Sequence, residues 1–114
     1  MSKNYTLIFP REHEDMFEAV RSGEKKIETR AASFKYRNIK AGDTVTLSCD
    51  GDKFSKQVKK VTHFKTLQDM FMVFTASDIN PAVHTVAEMV KIYESFPDYK
   101  EKIARFGILA IELE

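Results

Sequence analysis

The run from Thr44 to Phe64 leaves this chain few ways to fold. Thr44-Val45-Thr46-Leu47-Ser48-Cys49 alternates polar and apolar residues. Successive side chains of a strand point to opposite faces, so Val45, Leu47 and Cys49 are predicted to face a core. Asp50-Gly51-Asp52 is a strong hairpin-turn signal. The return strand is predicted to start near Phe54 and to run to Phe64, with Val58 and Val61 inside. Those inward positions switch from even to odd, which predicts a β-bulge near Lys59.

The rest of the chain can be arranged around that hairpin. Tyr5-Thr6-Leu7-Ile8-Phe9 is rich in β-formers and stops at Pro10, so it reads as the first strand. His13, Met16, Phe17 and Val20 recur at helical spacing. Glu12, Glu14 and Asp15 crowd the start of that helix, where unpaired N–H groups favour negative charge. Gly23 is placed to cap its end. Ala31 to Lys40 reads as a loop with one helical turn, and Gly42-Asp43 as a turn. Thr66 opens a second helix whose apolar stripe is Leu67, Met70, Phe71 and Phe74. The stretch Thr75 to Val83 is expected to be a connecting loop. Thr85-Val86-Ala87-Glu88 has the capping-box pattern, and Val86, Met89, Val90 and Tyr93 follow as a helical face. Pro97-Asp98 restarts a short helix that ends at Gly107. The continuous apolar run Ile108 to Ile111 then predicts a last strand, central and buried. The predicted order is β-α-β-β-β-α-α-α-β. Five strands with this much aromatic area favour closure into a barrel, which removes exposed edges.

Between the first helix and the hairpin lies Gly23-Glu24-Lys25-Lys26-Ile27-Glu28-Thr29-Arg30. It reads as a strand launched from the helix end. Strand alternation puts Lys26, Glu28 and Arg30 on one face and Lys25, Ile27 and Thr29 on the other, with Lys25 at the start free to reach either side. A run of charges on one face is costly to bury unless each is paired. Either that face is a solvated ladder, its exposed pairs contributing about 0–1 kcal/mol each, or it lines a polar cleft.

The pattern Gly-x-Lys-x-Ile-Glu-x-Arg, followed twelve residues later by Gly42-Asp43 and an alternating strand, resembles the ASCH domain, a relative of the PUA-like folds. The likeness spans about Ser22 to Leu47, and the closing Phe106-Gly107-Ile108-Leu109-Ala110-Ile111 strand also fits it. The resemblance implies an α+β fold: a small, mostly antiparallel β-barrel of about five or six strands with flanking helices, formed by one domain over residues 1–114. It also implies a cleft for RNA or a nucleoside, lined by Lys25, Glu28 and Arg30. Some proteins that resemble this chain hydrolyse acetylated cytidine with a Lys, a Thr three residues on and a distant Glu. Lys25 stands at the Lys position here, Glu28 replaces the Thr, and Glu88 is the nearest match to the distant Glu.

Charge distribution gives a second, independent hint. The net charge is only +1, which excludes a strongly basic nucleic-acid protein. From Arg21 to Lys65, however, twelve Lys/Arg stand against five Asp/Glu, net +7, and the remainder carries six against twelve, net −6. Either one face attracts anions, or strands and helices simply differ in surface charge. The one cysteine, Cys49, excludes an internal disulfide and reads as a small buried hydrophobe. The apolar run Tyr5 to Phe9 is too short for a signal peptide or membrane span, so a cytoplasmic protein with no membrane partner is expected. His13, His63 and His84 lack metal-ligand spacing, and neither a metal nor a cofactor is expected.

The expected ligand-binding set is therefore Lys25, Lys26, Glu28, Arg30 and Tyr36. Tyr36, between Lys35 and Arg37 in a loop, is a candidate for stacking on a base, whereas Phe54 and Phe64 read as core. If the chain is an enzyme acting on a modified nucleoside or RNA, Lys25 as acid–base group and Glu28 as general base form the minimal catalytic pair. A protein-interaction domain is the third reading.

Overall fold

The computed structural model describes residues 2–114. Five strands, β1 (Asn4–Phe9), β2 (Ile27–Ala31), β3 (Thr44–Cys49), β4 (Asp52–Phe64) and β5 (Ile108–Leu113), form one sheet in the order β1-β3-β4-β5-β2. Only β1 and β3 run parallel; the other three pairings are antiparallel. The hairpin is where the alternation puts it, with Val45, Leu47 and Cys49 buried. Gly51 takes φ 89° and Asp50 φ 50° in its turn, the left-handed conformations that tight hairpins need.

The strand β4 creates the curvature. Its first half pairs with β3 and its second with β5, and the register slips between Val58 and Lys60. A bulge bends a strand and increases its twist, so the sheet curls into a half-barrel. The curl stops short of the closed barrel that edge removal favoured: β1 and β2 remain its two edges. Side chains, not backbone ladders, occupy the seam between them.

A 3₁₀ turn, Arg11–His13, leads into α1 (Glu14–Ser22), which ends on Gly23 at φ 88°. Phe17 and Val20 from α1 pack with Leu7, Phe9, Leu47, Leu109 and Ile111 on the concave side of the sheet. A second core covers the other side. It gathers Ile27, Ala31, Phe64, Ile108 and Ala110 from the sheet against residues of α2 (Leu67–Phe71), α3 (Ala76–Ile79), α4 (Val86–Ser95) and α5 (Tyr99–Phe106). Alternate residues of β5 serve both cores, and for this reason Ile108 to Ile111 is apolar without a break.

Two expectations are corrected in the helical half. The stretch Thr75 to Val83 contains α3, whose capping box joins Thr75 and Asp78 reciprocally. Val86 lies outside the buried face of α4, at 43% exposure; Met89 and Tyr93 are buried, with Ile92 and Phe96 packed beside them. Where α5 turns into β5, Gly107 sits at φ 83° with space for no side chain: a Cβ there would lie 2.5 Å from Phe64 O. No helix among the described residues is long and apolar enough to cross a membrane.

Candidate functional site

The seam opens into a cavity of about 240 Å³. One lip is the end of β1, Ile8 and Phe9 with Pro10; the other is Glu28-Thr29-Arg30 of β2. Tyr93, Phe96 and Tyr99 from the helical half form the wall, and His13 and Met16 stand at the α1 side. Tyr93 and Tyr99 stack with ring centroids 5.9 Å apart and planes 5° from parallel.

Ladder register decides which backbone groups of β2 face this cavity. Leu113 N–H donates to Lys26 O at 2.8 Å, and Ala32 N–H donates to Gly107 O at 2.9 Å. In an antiparallel pair hydrogen-bonded and non-hydrogen-bonded positions alternate, so even-numbered residues bond β5 and Ile27, Thr29 and Ala31 face the seam. Those edge groups are covered by side chains. Lys25 Nζ donates to Ile27 O, Thr29 N–H donates to Glu28 Oε1 at 2.8 Å, and Ala31 N–H donates to Tyr99 Oη at 3.1 Å. An uncovered edge is a template for unwanted pairing; here a few residues of local sequence supply two of the three covers.

Lys25 is the most committed of the charged groups, with 2% of its side chain exposed. Besides Ile27 O it donates to Ile79 O at the end of α3 at 2.5 Å, and it stands 3.7 Å from Glu28 Oε1. Two carbonyls accept from the ammonium, and the carboxylate pairs with its charge. Burial pulls the Lys25 pKa down and the Glu28 charge opposes that pull.

Arg30 is held differently. Its Nη2 donates to Glu28 Oε2 at 3.4 Å and its Nη1 to Ile8 O at 3.5 Å, both at the long limit of a hydrogen bond. The guanidinium lies over the Phe9 ring, 5.0 Å from its centroid. Burial works against its charge, but Glu28, with Tyr99 and Tyr36, holds its pKa above the ordinary value. A fork with five donors and two stretched bonds retains capacity for a ligand.

The phenols complete the floor. Thr29 Oγ1 and Tyr93 Oη are 2.5 Å apart. Burial drives the Tyr93 pKa far up and pushes that of Tyr99 to about 12, so both are neutral donors and acceptors near pH 7.

Of the expected residues, the cavity unites Lys25, Glu28 and Arg30. Lys26 shares the strand parity of Glu28 and Arg30 but precedes the first residue of β2. It is exposed, near Gly23, Lys56 and Lys59, and does not line the seam cavity. Tyr36 is half-buried on the outer side of Arg30, its ring centroid 6.0 Å from the guanidinium carbon, and it too lies off the cavity. Glu88 is exposed and hydrogen-bonded to Thr85 at the start of α4, away from the seam. Thr29 was expected on the face opposite Glu28. It does face the helices with Ile27 and Ala31, yet the cavity straddles the free edge of the strand and so reaches both faces. Sequence reasoning missed Tyr93, Phe96 and Tyr99 as wall residues. Their one signal was aromatic recurrence every three residues, which cannot reveal which distant strand they cover. Among the described residues no group of three His, Cys, Asp or Glu side chains is placed to hold a metal ion.

No family model matches the chain, and no curated protein matches it. Solved structures do match it. A crystal structure of hypothetical protein PH0355 superposes with a TM-score of 0.81 and 31% identity, covering 100% of this chain and 98% of that one. A solution NMR structure of protein PF0455 from Pyrococcus furiosus gives 0.73 and 28%, over 97% of this chain and 96% of that one. At 31% identity across its whole length, the chain belongs to the same family as hypothetical protein PH0355.

Proposed function

We propose that the seam cavity is a binding site for a nucleoside or for a single unstacked base of RNA, in the manner of an ASCH domain. The observation that carries this reading is the pairing of Glu28 and Arg30 at the cavity floor. A carboxylate acceptor beside a guanidinium fork matches the mixed donor–acceptor edge of a base. The aromatic wall of Tyr93, Phe96 and Tyr99 supplies the apolar surface that a flat ring needs; base–aromatic contacts in single-strand binders are worth about 1–3 kcal/mol each. Most small-ligand sites share this plan of apolar walls with few polar groups.

Binding is favoured over amide hydrolysis or RNA cleavage. Two of the Lys25 donors are spent on carbonyls, and its ammonium is ion-paired with Glu28. Glu28 Oε1 is spent on a backbone N–H, and the Thr29 hydroxyl is paired with a phenol too weakly acidic to act as a base near pH 7. None of the three is poised as the acid–base pair or activated hydroxyl that hydrolysis requires.

Titration of the isotope-labelled full chain with cytidine, 4-acetylcytidine and a short single-stranded RNA tests the proposal. Shifts confined to Thr29, Tyr93 and Tyr99 amides, lost in Arg30→Ala, are expected. Shifts that centre on Lys56 and Lys59 instead, or that survive Arg30→Ala unchanged, overturn the site; consumption of 4-acetylcytidine overturns the preference for binding over catalysis.

A further inference from the structure

The floor of the cavity carries an unequal number of opposite charges. Lys25 and Arg30 bring two cations; Glu28 brings one carboxylate between them, 3.7 Å from the first and 3.4 Å from the second. All three are withdrawn from solvent, with side-chain exposures of 2%, 19% and 7% for Lys25, Arg30 and Glu28. The other polar groups at the floor, Thr29, Tyr93 and Tyr99, are neutral near pH 7. Glu12 lies at the rim but is exposed, so water screens it. An unmatched charge away from water is costly, and a partner of opposite sign offsets much of that cost.

The two cations do not share the imbalance equally. Lys25 has two carbonyls at hydrogen-bond distance and a Glu28 oxygen 3.7 Å from its nitrogen. Arg30 has only two long bonds and ring faces. The uncompensated charge therefore resides on the group that has donors to spare and borders the cavity.

We infer that the cavity selects an anionic ligand, a carboxylate or a phosphate monoester on a flat apolar body, with the anion seated on the Arg30 fork. Planar two-point pairing with an oxyanion is what a guanidinium does best. The anion replaces the stretched bond to Ile8 O, and Glu28 stays on Lys25. This rests on the seam cavity of the proposed function and adds the charge of the ligand.

Matched pairs of probes separate the two ideas. The full chain is titrated by NMR with cytidine and cytidine 5′-monophosphate, with benzamide and benzoate, and with inorganic phosphate. The anionic member of a pair is expected to bind at least about tenfold more tightly, equivalent to about 1.4 kcal/mol, and Arg30→Gln is expected to abolish that preference while Arg30→Lys keeps part of it. A preference for benzoate shared by cytidine 5′-monophosphate but not by inorganic phosphate shows that the apolar body is read as well. Equal binding of neutral and anionic members, or a preference that persists in Arg30→Gln, overturns the inference and leaves the base-binding site standing. Benzoate binding with no response to either cytidine compound upholds the anion and removes the nucleoside; silence from every probe removes both.

Discussion

The two strand edges that face the seam are finished in opposite ways. On β2, three backbone groups are covered by Lys25, Glu28 and Tyr99. On β1, the Ile8 carbonyl receives one bond, at 3.5 Å, from Arg30, and the Ile8 side chain is 61% exposed. A sheet edge must be paired, covered or guarded. The β2 edge is covered by side chains hydrogen-bonded to its backbone. The β1 edge is guarded by a side chain that can be drawn away, which makes the seam accessible without unfolding either strand. Lys25 and Arg30, five positions apart and both conspicuous cations of one motif, thus do different work: the first holds the frame and the second meets the ligand.

Removing the frame should have the largest effect. Lys25→Ala strips donors from Ile27 O and Ile79 O and leaves Arg30, among the described residues, as the one cation paired with Glu28. A loss of about 3 kcal/mol is expected in denaturant titration, in the range found when one partner of a buried ion pair is deleted. A loss below about 1 kcal/mol, the level of an exposed pair, would show that the β2 edge does not need its clamp.

Tyr99→Phe should come next. It leaves Ala31 N–H without its acceptor, at about 1–2 kcal/mol. It should also change the alkaline limb. The folded-state pKa of Tyr99 is pushed up to about 12 from an ordinary 10.0, so the unfolded chain ionises first. Its stabilising contribution is whole below pH 10 and is lost as pH rises from there towards 12. Tyr93 is shifted in the same direction, whereas Lys25, lowered from 10.5, gives a contribution that grows as pH rises towards 10.5. The difference between wild type and Tyr99→Phe isolates the Tyr99 part: the variant should fall less steeply above pH 10, and parallel curves would count against its burial.

The smallest stability change is expected for Arg30→Gln, within about 1 kcal/mol, because the bonds it removes are long and partly hydrated. Its effect on ligand affinity should be the largest of the three. A variant that unfolds instead would place Arg30 with Lys25 in the frame and erase the distinction between the two edges.

Much of the scaffold was legible in the residues. The hairpin, the bulge near Lys59, the Gly23 cap and the buried closing strand follow from alternation, turn chemistry and periodicity, which act over a few residues. The short helix α3 was legible too, through Thr75 and Asp78 three residues apart, but the adjoining Asn80-Pro81 outweighed that signal. The site was legible by halves. Alternation put Glu28 and Arg30 on one face together with Lys26, and the ASCH resemblance added Lys25; alternation could not say that Lys26 falls outside the strand or that Thr29 reaches the same hollow.

Local chemistry along the chain settled where strands and helices begin, which of their faces are apolar, and that three charged residues would cluster beside a glycine. It could not settle that the sheet would stop short of closure, or that aromatic residues more than sixty positions beyond β2 would roof the gap, as Tyr93 does over Thr29. Those outcomes depend on how far β4 bends at its bulge and where α4 and α5 come to rest, and they are fixed by contacts between segments remote in sequence. A charged motif becomes a cavity floor only when the other walls arrive, and here the walls come from the far end of the chain.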